Sequence, residues 1–112
     1  MAKYFLPDEI VGLDPKLIDM LDRARGIAKV PFVITSGKRT VDENTAAGGV
    51  GDSSHLRGLA VDLACKESRS RYFILSALFQ AGFTRLGIYA RDGHIHCDCD
   101  DSLPQQVVWV NT

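Results

Sequence analysis

The most constraining stretch of the sequence is residues 94–100, where polar and apolar side chains alternate at every position of HIHCDCD. Successive side chains of a β-strand point to opposite faces, so such a strand has one apolar face and one polar face. The polar face carries His94, His96, Asp98 and Asp100, and the apolar face carries Ile95, Cys97 and Cys99. Exposed strand faces are commonly charged. Here, however, two of the chain's three histidines share one face, which indicates the wall of a polar site.

The hydrophobic pattern along the rest of the chain predicts a mixture of helices and strands. Helices are predicted over residues 15–28 and from residue 68 or 70 to 81, with a short one over 40–47. Strands are predicted over residues 30–35, 59–64, 86–89 and 94–99, with an edge strand over 107–110. This order predicts an α+β fold in which a small antiparallel sheet is covered by helices. The length fits one domain, residues 1–112.

Composition excludes several classes of protein. Thirteen basic and fourteen acidic residues give a net charge of −1, whereas nucleic-acid-binding proteins normally carry a basic face. No apolar run has the length of a membrane span or a secretory signal, so we expect synthesis in the cytoplasm and no membrane insertion. The three cysteines, Cys65, Cys97 and Cys99, do not form a disulfide framework, and we expect them to be reduced.

Asp62 is a carboxylate within the otherwise apolar strand predicted over residues 59–64. Burying a carboxylate costs free energy unless the group is paired or bound to a cation. The pattern leaves open a bound cation or an ion pair with Arg39 or Arg57. Together with His55 and the alternating strand, two imidazoles and a carboxylate suit Zn²⁺, with a fourth position left for water. A structural Cys–His site is less favoured, because the cysteines share the opposite face.

Three segments carry a family resemblance. These are ITSGKRT, SSHLRGLAVDL and LGIY followed by HIHCDCD, in that order along the chain. They resemble, respectively, an upstream Ser-Gly-aromatic-Arg-Ser segment, the first zinc motif and the second zinc motif of the D-alanyl-D-alanine carboxypeptidase and L-alanyl-D-glutamate endopeptidase family. That family includes vancomycin-resistance carboxypeptidases and many phage endolysins. The resemblance runs from about Phe32 to Trp109 and implies a hedgehog/DD-peptidase fold.

The resemblance also implies roles for individual residues. The implied zinc ligands are His55, Asp62 and His96. Arg39 is implied to bind a carboxylate of the substrate peptide, a role that suits a planar guanidinium able to form two parallel hydrogen bonds. Ser53 and Ser54 are expected to shape the substrate-binding site. Asp98 is expected to orient a ligand or a loop.

Two positions depart from the family pattern. Lys38 stands where relatives often have an aromatic residue. Gly93 stands three residues before the last zinc histidine, where relatives commonly have the acidic general base. Asp92, on the same turn, is therefore the predicted base, and His94 matches an accessory histidine of some relatives. A different register would make His94 the ligand, but the His-x-Asp pattern favours His96.

The resemblance therefore implies zinc-dependent hydrolysis of a peptide bond in peptidoglycan stem peptides, either as a D,D-carboxypeptidase or as an L-alanyl-D-glutamate endopeptidase. We expect a monomeric, phage- or prophage-type lytic enzyme that acts on the cell wall after release. Two alternatives stay open. One is a zinc-binding module with weak or no catalysis, which Gly93 favours. The other is a phage structural domain whose tail, including Trp109, forms a contact surface, although Trp109 is expected to pack over the sheet edge.

Overall fold

The computed structural model describes residues 2–46 and 53–111, and these contain three helices and five strands. The helices are α1 (Pro15–Ile27), α2 (Val41–Ala46) and α3 (Ser68–Gln80). The strands are β1 (Ile34–Ser36), β2 (Ala60–Ala64), β3 (Arg85–Tyr89), β4 (His94–Asp98) and β5 (Val107–Asn111). Short 3-10 turns cover Pro7–Glu9 and Ser54–Arg57. Residues 47–52, which include the last residue of the short helix predicted over 40–47, lie outside the described residues.

The five strands form one sheet in the order β1-β2-β4-β3-β5. The pairs β1–β2, β2–β4 and β3–β4 are antiparallel. The predicted α+β class and the helix-covered sheet are confirmed. Strand β1 begins at Ile34 rather than at residue 30, because its pairing with β2 starts there, and Pro31, which has no N–H, lies outside it.

The predicted edge strand is present as β5, but it runs parallel to β3, so the sheet is mixed rather than wholly antiparallel. The segment that joins β4 to β5 returns past the beginning of β3. Hydrogen bonds anchor it there, from Thr84 Oγ1 to Gln105 Oε1 at 2.6 Å and from the Val107 N–H to the Thr84 carbonyl at 3.0 Å.

Helices α1 and α3 pack against each other and cover one face of the sheet. The core between these layers contains buried apolar residues from both helices and from the inward face of three strands. They are Leu17, Leu21, Ile74, Leu78, Val61, Leu63, Leu86, Ile95 and Cys97. The alternation predicted for residues 94–100 is therefore confirmed within β4, because its apolar positions face the helices. Burying each such Leu or Ile contributes on the order of 1.5–3 kcal/mol.

The cysteines lie in or near this core and form no disulfide, as expected. Burial raises the pKa of Cys97 well above its ordinary value of 9.0, so the thiol stays protonated among apolar neighbours. Cys97 is therefore a core residue rather than a metal ligand. Among the described residues, no helix combines the length and the apolar character that crossing a bilayer requires.

Candidate metal centre

The sheet face opposite the helices brings His55, Asp62 and His96 together. Asp62 and His96 are direct partners in the antiparallel pairing of β2 with β4, so both side chains point to the same face. His55 arrives from the 3-10 turn that precedes β2. One ligand atom from each of the three residues lies within 4.8 Å of the others. His55 and Asp62 are buried, and His96 is partly buried.

Gly58 makes this convergence possible. It ends the 3-10 turn with a φ of +71°, a left-handed conformation that side-chain-bearing residues rarely adopt. A Cβ at this position would also overlap the carbonyl oxygen of Gly12. The sharp bend lets His55 and Asp62, which are seven residues apart in the sequence, approach the same point.

The spacing of the three side chains fits a tetrahedral zinc ion. Asp62 Oδ1 lies 3.4 Å from Nε2 of His55 and 3.2 Å from Nδ1 of His96. Zinc–nitrogen and zinc–oxygen distances near 2.0–2.1 Å correspond to a separation of about 3.3 Å between neighbouring tetrahedral ligands. Two imidazole nitrogens and one carboxylate oxygen also form a donor set of the kind found in zinc enzymes.

Hydrogen bonds at the far side of each imidazole direct the other ring nitrogen towards Asp62. Nδ1 of His55 lies 2.8 Å from the Gly37 carbonyl oxygen, and Nε2 of His96 lies 2.8 Å from Oδ2 of Asp98. A carbonyl oxygen and a carboxylate oxygen both accept hydrogen bonds, so Nδ1 of His55 and Nε2 of His96 are the donors. Nε2 of His55 and Nδ1 of His96 are then the atoms that face Asp62, and each offers its lone pair to a metal once it carries no proton. Such outer partners fix ring orientation and tautomer in metal sites.

The electrostatics of the cluster favour an ionised carboxylate. Burial opposes ionisation of Asp62, but hydrogen bonds with His55 and His96 outweigh it and hold the pKa of Asp62 well below its ordinary value of 3.8. Burial would likewise lower the pKa of His96, but hydrogen bonds with Asp62 and Asp98 outweigh it and raise that pKa above 6.5. The ionised carboxylate of Asp62, which lies between two imidazoles, therefore attracts a cation.

Arg39 also reaches this cluster. Its NH2 atom lies 3.3 Å from Asp62 Oδ2, which is the ion pair that the sequence left open. The other guanidinium nitrogens are engaged too, with Nε donating to Ser36 Oγ at 3.0 Å and NH1 to Asn44 Oδ1 at 3.2 Å. The ion pair and the metal-ligand cluster therefore coexist at Asp62. Arg39 thus lies beside the three-residue cluster, with its guanidinium held in place by three side chains.

The two predicted substrate-binding serines hold the loop that carries His55. Ser53 Oγ accepts a hydrogen bond from the His55 N–H at 3.3 Å and so caps the 3-10 turn. Ser54 is buried, and its hydroxyl donates to Asp100 Oδ2 at 2.6 Å. Arg57, at the end of the turn, forms an ion pair with the same carboxylate. Both hydroxyls are thus used within the protein, where they shape the site.

The two predicted catalytic residues differ in their distance from the cluster. Nε2 of His94 lies 3.8 Å from Asp62 Oδ2, on the same face as His96. Asp92 is exposed in the turn between β3 and β4, and within residues 2–46 and 53–111 no hydrogen bond or ion pair joins it to the three ligands. The turn is anchored by the Cys65 N–H, which donates to the Gly93 carbonyl at 2.8 Å.

Sequence reasoning missed the support that β3 and β5 give to the site. Asp98 contacts His96 as expected, and its other oxygen accepts from Nε of Arg85 at 2.8 Å. Trp109 packs over β3 at the sheet edge, as expected, but on the site face, with its ring 5.4 Å from the ring of His96. The sequence does contain one indication of this packing. Gly87 lies inside a predicted strand, and a glycine there often marks the close approach of another group.

The fold and the three-residue cluster define the class of protein, an α+β domain of hedgehog/DD-peptidase type with a candidate metal site on the open face of its sheet. A family model described as Peptidase M15 matches residues 6–98. The chain therefore belongs to the Peptidase M15 family, whose members are zinc-dependent peptidases.

Among solved structures, the fold is similar to that of an L-Ala D-Glu endopeptidase, ChiX, from Serratia marcescens. The TM-score is 0.57, and 24% of the aligned residues are identical. The similarity covers 66% of this chain and 65% of that chain, so this chain spans slightly less than two thirds of the relative's length. No curated protein sequence matches the chain at a significant level.

Proposed function

We propose that the protein hydrolyses a peptide bond in peptidoglycan stem peptides, with zinc held by His55 Nε2, an oxygen of Asp62 and His96 Nδ1. The observation that carries this proposal is the convergence of these three ligand atoms within 4.8 Å in a member of the Peptidase M15 family. The hydrogen bonds that turn both imidazoles towards Asp62 support the same ligand set.

The surrounding residues have distinct roles in this proposal. When bound, zinc supplies Lewis-acid activation of water and of the scissile carbonyl. Arg39 holds Asp62 in place and offers positive charge to the peptide's carboxylate. Nε2 of His94, which lies 3.8 Å from Asp62 Oδ2, accepts a proton during attack and returns it to the leaving amine. Asp92 is the alternative proton acceptor, and it requires the turn to bring its carboxylate inward.

For the bond that is cut, we propose the L-alanyl-D-glutamate linkage. The support is the fold shared with a protein described as an L-Ala D-Glu endopeptidase. A D,D-carboxypeptidase would instead release a terminal D-alanine. The two reactions leave different products on the same stem peptide, so one product analysis distinguishes them.

The decisive experiment is mass spectrometry of purified peptidoglycan after incubation with the zinc-loaded protein. Endopeptidase action yields a new amino terminus on glutamate, whereas carboxypeptidase action yields free alanine. His96→Ala is expected to remove both zinc and cleavage. Arg23→Met, which alters an exposed residue of α1, is the matched surface control and is expected to cleave normally. An unaltered protein that carries zinc but leaves every stem peptide intact would overturn the proposal.

A second candidate is a zinc-binding module that recognises the stem peptide without cutting it. It is favoured by Gly93 at the usual acidic position and by the exposed position of Asp92. Such a module would sediment with insoluble peptidoglycan in a zinc-dependent manner and release no new amino termini.

The proposal extends to a phage-type lytic role as a monomer on the cell wall. Turbidity loss of permeabilised cells after external addition of the protein tests the lytic role. Sedimentation velocity tests the monomer. Cleavage of isolated peptidoglycan without lysis would contradict the lytic role alone.

A further inference from the structure

Four side chains, His96 among them, form a closed ring of contacts. Nε2 of His96 lies 2.8 Å from Asp98 Oδ2, and Asp98 Oδ1 accepts from Nε of Arg85 at 2.8 Å. The guanidinium carbon of Arg85 lies 5.2 Å from the centre of the Trp109 ring, a cation–π contact. The Trp109 ring then returns to His96, with 5.4 Å between ring centroids. On its other side, His96 meets the ring of His55 edge-on at 5.3 Å.

Trp109 reaches His96 because the residue between them has no side chain. Gly87 of β3 pairs with His96 on one side and with Trp109 on the other. A Cβ on Gly87 would lie 2.5 Å from Cε2 and Nε1 of Trp109, far inside van der Waals contact. Glycine at this position therefore lets the indole cross β3 and contact the middle strand of the sheet.

The indole is also fixed at its polar end. Nε1 of Trp109 donates to the Tyr89 hydroxyl at 2.9 Å. The Tyr89 ring stacks on the ring of His94 with 4.7 Å between centroids and 17° between planes. Trp109 thus contacts His96 directly and His94 through Tyr89. The guanidinium of Arg85 is held too, because its NH1 atom donates to the Pro104 carbonyl at 2.6 Å.

We infer that Trp109 and Arg85 are positioning residues of the metal centre, which makes β5 part of that centre although it lies beyond the residues 6–98 that the family model matches. The ring holds the imidazole of His96 with Nδ1 directed at Asp62. Without this ring of contacts, the His96 imidazole is free to rotate about χ1 and χ2. Zinc binding then has to offset the entropy cost of fixing that side chain. The inference rests on the proposed ligand set.

The closing experiment measures zinc affinity by competition with a chromogenic chelator for the unaltered protein and five variants. Trp109→Ala and Arg85→Met are expected to weaken zinc binding about tenfold, as is typical when an outer partner of a ligand is lost. Gly87→Ala should produce a similar loss, because it displaces the indole and removes no functional group. Trp109→Phe keeps an aromatic ring beside His96 and is expected to restore most of the affinity. Val110→Ala is the matched control, since Val110 is exposed on the same strand.

Two spectroscopic readouts separate positioning from general destabilisation. Trp109 is the only tryptophan of the sequence, so zinc binding is expected to change the protein's tryptophan emission with a stoichiometry of one. In the cobalt-loaded protein, the visible spectrum should shift in Gly87→Ala and match the unaltered protein in Val110→Ala. These readouts apply to the variants that remain folded by circular dichroism, and the emission titration needs no variant at all.

Each outcome has a defined meaning. Unchanged tryptophan emission while a full equivalent of zinc is bound would overturn the inference, as would unchanged zinc affinity in folded Gly87→Ala and Arg85→Met. Both results leave the proposed hydrolysis standing. Failure of the unaltered protein to bind zinc would overturn the ligand set, and this inference with it.

Discussion

Nε2 of His96 lies 2.8 Å from Oδ2 of Asp98, two residues further along the same strand. Residues i and i+2 of a strand share a face, so the contact follows from the alternation in β4. It has a chemical consequence, because the bond occupies one imidazole nitrogen and leaves Nδ1 as the atom that faces Asp62. The second carboxylate oxygen of Asp98 contacts Arg85 and therefore cannot turn away freely.

Replacing Asp98 with asparagine is expected to weaken zinc binding about 10–100-fold, because the amide lacks the charge that holds the His96 N–H and pairs with Arg85. The measurement is chelator competition on the folded variant. Asp101→Asn is the control, since Asp101 is exposed and near in sequence. Equal affinities for both variants would show that Asp98 does not orient the ligand.

Zinc affinity should fall as the pH falls through the raised pKa of His96. In the metal-free protein, His96 retains its proton above the ordinary 6.5, and a metal must displace that proton from Nδ1. Below this pKa, we expect at least about a tenfold loss of apparent affinity per pH unit. Asp98→Asn removes one cause of the raised pKa, so its affinity profile should move to lower pH. Titrations between about pH 5.5 and about pH 8 test both statements.

The shared face of the strand histidines and the unusual position of Asp62 could be predicted from local patterns, because the side chains of a strand repeat with a short period. Alternation in residues 94–100 places His96 and Cys97 on opposite faces whatever the neighbouring strands are. Asp62 is conspicuous because an apolar strand rarely contains a carboxylate. Asp62 and His96 then meet through the antiparallel pairing of β2 with β4, and only the motif resemblance implied that they share a metal.

The rest of the site depends on pairings between distant segments, which no local period encodes. The parallel pairing of β5 with β3 puts Trp109 opposite Gly87, 22 residues away in the sequence. The engagement of all three guanidinium nitrogens of Arg39 with Ser36, Asn44 and Asp62 likewise depends on how α2 and the strands meet. Contacts of this kind form only when the whole fold brings distant segments together.

Arg39→Met is expected to lower kcat/KM about 100-fold, which corresponds to about 2.7 kcal/mol, while zinc content is retained. The variant removes the positive charge offered to the peptide's carboxylate and leaves all three zinc ligands in place. Steady-state kinetics with a purified stem peptide and metal analysis of the same sample test this. Arg23→Met on α1 is the matched loss of a guanidinium and should leave kcat/KM unchanged. Loss of zinc from Arg39→Met would instead assign Arg39 chiefly to holding Asp62.

His94→Gln is expected to lower kcat at least about 100-fold, the usual contribution of a general base, and Asp92→Asn much less. The reason is position, since His94 lies 3.8 Å from Asp62 whereas Asp92 is exposed in the turn. Steady-state kinetics of the two zinc-loaded variants with a purified stem peptide measure this difference. The reverse pattern would assign the base to the turn, as the sequence alone predicted.

Ser54→Ala is expected to destabilise the metal-free protein by about 1.5 kcal/mol, because it removes a charge-assisted hydrogen bond to the fully buried Asp100. Burial opposes ionisation of Asp100, but hydrogen bonds from Ser102 and Ser54 and the charge of Arg57 outweigh it and lower the pKa of Asp100 to about 2.

The pH dependence of this effect has a definite sign. The folded-state pKa of Asp100 lies below the unfolded-state value of about 3.9, so the stabilisation is fully present above about pH 4. It is lost as the pH falls towards about 2, because the folded protein must then bind a proton. Urea unfolding with a chelator present should therefore show a smaller difference between Ser54→Ala and the unaltered protein at about pH 3 than at about pH 6. Ser68→Ala, at an exposed position of α3, is the control, and a cost that is equal for both serines would contradict the role of Ser54 in holding the His55 loop.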